Sequence, residues 1–263
     1  MEGSTILYFD SGIGGLSVFS EVEKVLPYVN TVYVFDNKYF PYGILSEETV
    51  IERCCKIIEY MTSKFNVDII VVACNTASTI VLPTLRSRIK IPIVGVVPAI
   101  KPAAKLSHTK VIGLLATPAT VSRNYTDELI NNYASDCYVE KIGTSELVKL
   151  AELKLRYNRD VGKDVAKCLK QLKNTPNLDV IILGCTHFPW LKQEIEKALP
   201  NAKCIDSGAA VAQRVKFLLK DQNVKCNKPY RMAYMTDKFV EDYREQQDIF
   251  RRYGFEGLEG IDE

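Results

Sequence analysis

The chain carries one short pattern twice. Residues 67–78 read VDIIVVACNTAS and residues 178–189 read LDVIILGCTHFP. Each copy has an apolar residue, an aspartate (Asp68 or Asp179), four apolar residues and a small residue (Ala73 or Gly184). A cysteine (Cys74 or Cys185) and polar hydrogen-bonding residues follow. Self-similarity of this kind points to a duplicated structural unit and has to be weighed before anything else. A short apolar run bounded in this way is predicted to be a buried strand, which sets each cysteine just past a strand's carboxyl end. Fainter echoes accompany it: ILYFDSGIGG from Ile6 matches VIGLLATPAT from Val111, and TVYVFD from Thr31 matches CYVEKI from Cys137. The half-chain as a whole reads as doubled.

Short apolar runs alternate with longer stretches of helical period, the pattern of an α/β protein with a largely parallel sheet. Strands are predicted at Ile6–Phe9, Val32–Phe35, Ile69–Ala73, Pro92–Val96, Val111–Leu115, Cys137–Lys141, Val180–Leu183 and Ala202–Ile205. Helices are predicted at Glu47–Phe65, capped by Ser46, and at Lys163–Leu172 and Ala209–Leu219. The duplication then implies two pseudo-symmetric lobes, each a mainly parallel sheet flanked by helices. We expect residues 1–97 with 207–263 in one lobe and 98–206 in the other, with Pro98, Pro102 and Gly208 near the crossings. Ligands of open α/β sheets bind beyond the carboxyl ends of the strands, so a site is expected in the cleft between the lobes, with one cysteine on each wall.

Bulk properties exclude several classes of function. The 263 residues carry 34 Lys and Arg against 32 Asp and Glu, too even a balance for the phosphate neutralisation that nucleic-acid binding needs. No apolar run approaches the roughly 20 residues that span a bilayer. The N-terminus shows no secretory signal pattern, so a cytoplasmic location is expected, where the eight cysteines stay reduced. No CxxC pair exists to signal a zinc knuckle or a thioredoxin-type centre.

Paired bases on opposite walls suit one reaction above others, the inversion of an amino acid at its α-carbon. One group removes the α-proton from one face, and the other delivers a proton to the opposite face. Cysteine fits because its reference pKa of about 8.5 keeps both protonation states within reach near neutral pH. A helix beginning just after each cysteine would stabilise its thiolate. His187, two residues past Cys185, is placed to polarise a substrate or assist that thiol. The DSGIGG stretch from Asp10 lets backbone N–H groups approach a ligand, but its spacing departs from GxGxxG. Asp10 would repel a phosphate and attract an ammonium, so an amino acid fits better than a nucleotide. Asn75, Thr76, Thr117, Thr120 and Thr186 offer neutral donors for carboxylates, although helix capping is the commoner use of such residues.

FDSGIGGLSV at 9–18, PYG at 41–43, ACNTAS at 73–78, GLLATPATV at 113–121 and GCTHFP at 184–189 resemble, in order, the motifs of the glutamate racemases that supply D-glutamate for bacterial peptidoglycan. The similarity extends to YMTDKF at 234–239. It implies a cofactor-independent isomerase that interconverts L-glutamate and D-glutamate, with Cys74 and Cys185 as the acid/base pair assisted by Asp10 and His187. It further implies that Asp10, Ser11, Tyr42, Gly43, Asn75, Thr76, Thr117, Thr120, Thr186 and His187 hold the substrate, and that Glu152 lies near the second cysteine. A homodimer and a response to UDP-N-acetylmuramoyl-L-alanine are implied as well. Three alternatives stay open on the sequence: an aspartate racemase or other two-cysteine enzyme of the same fold, a non-catalytic amino-acid-binding protein, and a metal or redox site built from Cys74, Cys185 and His187.

Overall fold

In the computed structural model, which describes residues 3–220 and 226–262, the apolar runs form two sheets. The strands among these residues are β1 (Thr5–Asp10), β2 (Asn30–Phe35), β3 (Ile69–Val72), β4 (Ile93–Gly95), β5 (Val111–Ala116), β6 (Tyr138–Gly143), β7 (Val180–Gly184), β8 (Lys203–Ile205), β9 (Arg231–Met235) and β10 (Gly257–Gly260). The chain divides into one unit from Met1–Val96 and Gly208–Glu263 and a second from Val97–Ser207. Unit 1 carries a sheet ordered β10-β9-β2-β1-β3-β4, and unit 2 a sheet ordered β6-β5-β7-β8. All of the pairings are parallel.

The duplication is real at the level of topology, since the order β2-β1-β3-β4 in unit 1 recurs as β6-β5-β7-β8 in unit 2. Register corrects the fainter echoes. Thr5 pairs with Asn30 and Val111 with Tyr138, so Val111 answers Thr5 rather than Ile6, and Tyr138 answers Asn30. The alignments from Ile6 and Thr31 were therefore one and two residues out. A single-residue slip turns every side chain to the other face of a strand. The cysteine-bearing copies keep their alignment, with Ala73 and Gly184 as equivalents.

The aspartates of the repeat serve the opposite end of the strands from the cysteines. Asp68 accepts the Thr5 N–H at 2.8 Å. Asp179 accepts the Ser107 hydroxyl at 2.6 Å and the N–H groups of His108 and Thr109 at 2.7 and 3.0 Å. Each pins the segment leading into the neighbouring first strand, β1 or β5. These are structural bonds, and they explain why the repeat extends to Asp without implying any chemistry there.

Helix Glu47–Lys64 shows how a helical stripe covers unit 1's sheet. Val50, Cys54, Ile57, Ile58 and Met61 fall on one face and lie in the same core as Leu7, Phe9, Val32 and Val34. Ser46 caps it by accepting the Thr49 N–H, as predicted. The alternate positions, Tyr8, Tyr33 and Phe35, face the other way. There they form an aromatic cluster with Phe19, Phe250 and Phe255 at centroid distances of 5.0–6.3 Å. In unit 2, Ile112, Leu114, Val180 and Ile182 are buried in one core with Ala99, Ile100, Ala103 and Ala104.

Two expectations need further correction. The helix predicted at Lys163–Leu172 is broken into Gly162–Cys168 and Lys170–Lys173. Strands β9 and β10 were not anticipated, because five-residue RMAYM and four-residue GLEG carry weak β signals; β9 is fixed by pairing to β2 and β10 by pairing to β9.

A buried ion pair ties the carboxyl end of β2 to the helix that covers it. Arg53 Nε and Nη2 donate to the two oxygens of Asp36 at 2.9 and 3.0 Å, and the Tyr42 and Thr236 hydroxyls donate to the same carboxylate at 2.7 Å each. Asp36 is fully buried. Removing one partner of such a pair leaves an uncompensated charge, so Arg53→Met is expected to destabilise the protein by roughly 3–5 kcal/mol. Urea unfolding of the variant against wild type measures this; a change within about 0.5 kcal/mol, the ordinary surface range, contradicts it.

Candidate active site

In unit 1 the site is built where β1 and β3 end side by side. Phe9 pairs with Val72, so continuing the register brings Ser11 level with Cys74. The Ser11 hydroxyl lies 3.8 Å from Cys74 Sγ. Cys74 is the N-cap of helix Asn75–Arg88, its sulfur accepting the Ala77 N–H at 3.5 Å. A sulfur in this position receives a backbone donor and the positive end of the helix dipole. It is 4% exposed.

Asp10 shapes the loop that carries Ser11. Its Oδ1 accepts the Ser11 N–H at 2.7 Å and its Oδ2 the Gly15 N–H at 2.6 Å. Glycine is required at 15 by close approach, since a Cβ there would lie 2.6 Å from Tyr33 Oη and 3.0 Å from both Ala73 Cβ and Asp10 Oδ2. Tyr33 in turn donates to the Gly12 carbonyl at 3.0 Å. The loop is thus held from both β1 and β2. Asn75 and Thr76 are buried in the first turn of the Cys74 helix.

Tyr42 and Gly43 open a short 3-10 turn, Tyr42–Ile44, after the cis Phe40–Pro41 bond. The Tyr42 hydroxyl is engaged by Asp36, and burial, followed by the nearby Cys54 and Asp36, pushes its pKa well above the ordinary range. It stays a neutral donor inside the protein. What this turn can offer a ligand is the backbone N–H groups that begin it.

In unit 2 the same register logic applies, since Ala116 pairs with Gly184 and Thr117 falls level with Cys185. Thr117 caps helix Pro118–Ser122: its Oγ1 accepts the Thr120 N–H at 3.3 Å and lies 3.0 Å from Thr120 Oγ1. Both threonines are buried, as is Thr186. Cys185 is 7% exposed. Here the expected helix is replaced by a 3-10 turn, Phe188–Leu191, that starts after His187, so Cys185 has no helix N-terminus directly behind it. Pro189 in that turn lacks the N–H a regular helix would use.

A histidine takes the place of that helix. His187 Nδ1 lies 3.9 Å from Cys185 Sγ and Nε2 lies 2.7 Å from Glu152 Oε1. Glu152 belongs to helix Glu146–Tyr157 and receives Arg156 Nε on its other oxygen at 2.6 Å. Burial opposes charge on the imidazole, yet the hydrogen bonds to Cys185 and Glu152, and then their charges, raise His187 to about 10. Burial likewise opposes the ionised Glu152; the His187 bond, the His187 charge and Arg156 together hold it below the usual carboxylate value. Near neutral pH the pair is imidazolium and carboxylate, with a cation facing Cys185.

The expected residues therefore gather beyond the carboxyl ends of β1, β2 and β3 in unit 1 and of β5 and β7 in unit 2, with Glu152 supplied by helix Glu146–Tyr157. Sequence reasoning missed Asp36, Arg53 and Thr236, which support the Tyr42 turn, and Arg156, whose spacing of four from Glu152 on a helix was a usable signal. A depression of about 540 Å³ lined by Thr109, Lys173, Asn177, Asp179 and Asn201 lies at the amino end of unit 2's strands and contains none of the candidate residues. Among the described residues no group of three or more His, Cys, Asp or Glu side chains is arranged to hold a metal ion, and no helix is long and apolar enough to cross a membrane.

The chain is similar to known proteins over nearly its whole length. The family model for Asp/Glu/Hydantoin racemase matches residues 15–215. The glutamate racemase of Actinobacillus pleuropneumoniae serotype 5b (strain L20) is 48% identical over 259 residues, 97% of each chain. That of Photorhabdus laumondii is 47% identical over 262 residues, 98% of this chain and 90% of the relative. The crystal structure of Escherichia coli glutamate racemase in complex with L-glutamate and the activator UDP-MurNAc-ala matches with a TM-score of 0.93 at 42% identity, covering 98% of both chains.

The His187–Glu152 pair makes stability depend on pH with a defined sign. A raised histidine pKa contributes stability that is complete below the unfolded value, about 6.5, and is lost as pH rises through about 10. The lowered Glu152 contributes stability present above its unfolded value of about 4.3, which is lost as pH falls through the folded value. The Tm difference between wild type and His187→Asn is therefore expected to be largest near pH 6 and to close as pH approaches about 10. A gap independent of pH over that range contradicts the pairing.

Proposed function

Because the chain belongs to the Asp/Glu/Hydantoin racemase family and is an isomerase acting on glutamate, we propose that Cys74 and Cys185 are its two bases, one for each face of the α-carbon. In one direction the Cys74 thiolate takes the α-proton and becomes a thiol. The electron pair left on carbon is delocalised into the adjoining carboxylate. The Cys185 thiol then gives its proton to the opposite face and becomes the thiolate, from which the reverse reaction begins. The two thiols supply base and acid themselves, so no cofactor enters the scheme.

The observation that carries this reading is the equivalence of the two sulfurs. Each follows the third strand of a duplicated β-α unit, β3 or β7, beside a hydroxyl-bearing residue on the neighbouring strand's extension, Ser11 or Thr117. Asp10 holds the loop that presents Ser11 to Cys74, and Glu152 holds His187 against Cys185. Ser11, Tyr42, Gly43, Asn75, Thr76, Thr117, Thr120 and Thr186 bind the carboxylates and ammonium of the substrate in this scheme. The product feeds peptidoglycan synthesis in the cytoplasm, and the enzyme works as a homodimer that responds to UDP-N-acetylmuramoyl-L-alanine. Support for that response comes from the Escherichia coli relative, whose structure holds the corresponding activator.

L-Glutamate incubated with the protein in D2O is expected to yield D-glutamate bearing deuterium at the α-carbon. Cys74→Ala and Cys185→Ala are each expected to lower racemisation by roughly 10²–10⁴-fold, the range for losing a general acid or base. Chiral chromatography with mass detection reads both results. Undiminished turnover in either variant rules the two-base scheme out.

A further inference from the structure

We infer that Arg156 is a positioning residue for proton transfer at Cys185, holding Glu152 so that His187 is fixed against the sulfur. The inference rests on the proposed role of His187 and Cys185. It comes from a chain of contacts within unit 2: Arg156 Nε to Glu152 Oε2 at 2.6 Å, Glu152 Oε1 to His187 Nε2 at 2.7 Å, and His187 Nδ1 to Cys185 Sγ at 3.9 Å. The carboxylate uses one oxygen for each neighbour. With Arg156 in place it cannot rotate about its last torsion without breaking a charge-assisted bond, a constraint that a carboxylate bonded to His187 alone would lack.

An ordinary helical ion pair between residues four apart would be exposed and contribute little. This one differs, because the Arg156 side chain is 18% exposed and that of Glu152 9%. Arg156 also lies in the last turn of Glu146–Tyr157, where a cation complements the dipole, yet that role needs no carboxylate and no burial. The same helix is tied to the His187 turn a second time, through Lys154 Nζ, which donates to the Trp190 carbonyl at 2.8 Å and pairs with Glu194 at 2.7 Å. The Lys154 pair fixes the helix on the turn. Arg156 fixes the carboxylate on the histidine.

The test compares Arg156→Gln and Arg156→Lys with wild type and His187→Asn, using α-deuterated L- and D-glutamate. The two enantiomers have equal free energy, so kcat/KM must fall equally in both directions for any variant. The primary isotope effect need not. If the step at Cys185 is slowed, the isotope effect rises for the enantiomer deprotonated by Cys185 and falls for the other. Arg156→Gln is expected to lower kcat/KM about tenfold, the loss of one hydrogen bond to a charged group, chiefly through kcat and with that opposed change in isotope effects. Arg156→Lys is expected to recover most of the rate. Wild-type kinetics in Arg156→Gln, or a rate loss with both isotope effects unmoved, overturns the inference. Wild-type kinetics in His187→Asn instead overturns the role of His187 on which it rests.

Discussion

Everything at the site depends on the parallel pairing of one central strand with the next, β1 with β3 and β5 with β7. Parallel strands end together, so their carboxyl ends form one ledge on which consecutive residues of different loops meet. Ser11 reaches Cys74 only because Phe9 pairs with Val72, and Thr117 is level with Cys185 only because Ala116 pairs with Gly184. Close approach at this ledge sets the small residues too. A Cβ on Gly184 would lie 3.0 Å from the Leu115 carbonyl oxygen and 3.1 Å from Ala116 Cβ, closer than most Cβ contacts, so that a neighbour would have to give, whereas unit 1 accommodates Ala73 at the equivalent place.

Duplication supplies two equivalent sulfurs, yet their surroundings differ. Cys74 has a backbone donor, a helix N-terminus and a neighbouring hydroxyl. Cys185 has an imidazole held by a carboxylate and an arginine. The position equivalent to His187 in unit 1 is Thr76, and the position equivalent to Asp10 in unit 2 is Ala116. The two units thus surround equivalent sulfurs with different donors. One uses the backbone; the other uses side chains.

Much of this was legible in the residues. The repeat located both cysteines and the strands that carry them, because buried strands have a strong apolar signature and a duplicated one is hard to miss. What escaped was determined by distant parts of the chain. Strands β9 and β10 owe their form to pairing with β2 and with each other, and Asp36 with Arg53 is a tertiary ion pair with no local signal. Cys185 lost its expected helix to a proline two residues past His187. Thr117 illustrates how one residue answers two descriptions, since it is both a helix cap and level with the sulfur. Its bond to Thr120 was predictable as capping, while its alignment with Cys185 needed the register.

The path of the chain through its two units has an effect on how the protein is made. Residues 97–207 form an uninterrupted segment, so unit 2 is complete on the ribosome as soon as it emerges and can fold as synthesis proceeds. Unit 1 has to wait. Until Arg231–Met235 has been synthesised, β2 presents an open row of N–H and C=O groups, the kind of strand edge that invites pairing with other chains. The nascent protein therefore passes through a stage in which its later-made half is finished and its earlier-made half is not, until Arg231–Met235 covers the open edge of β2.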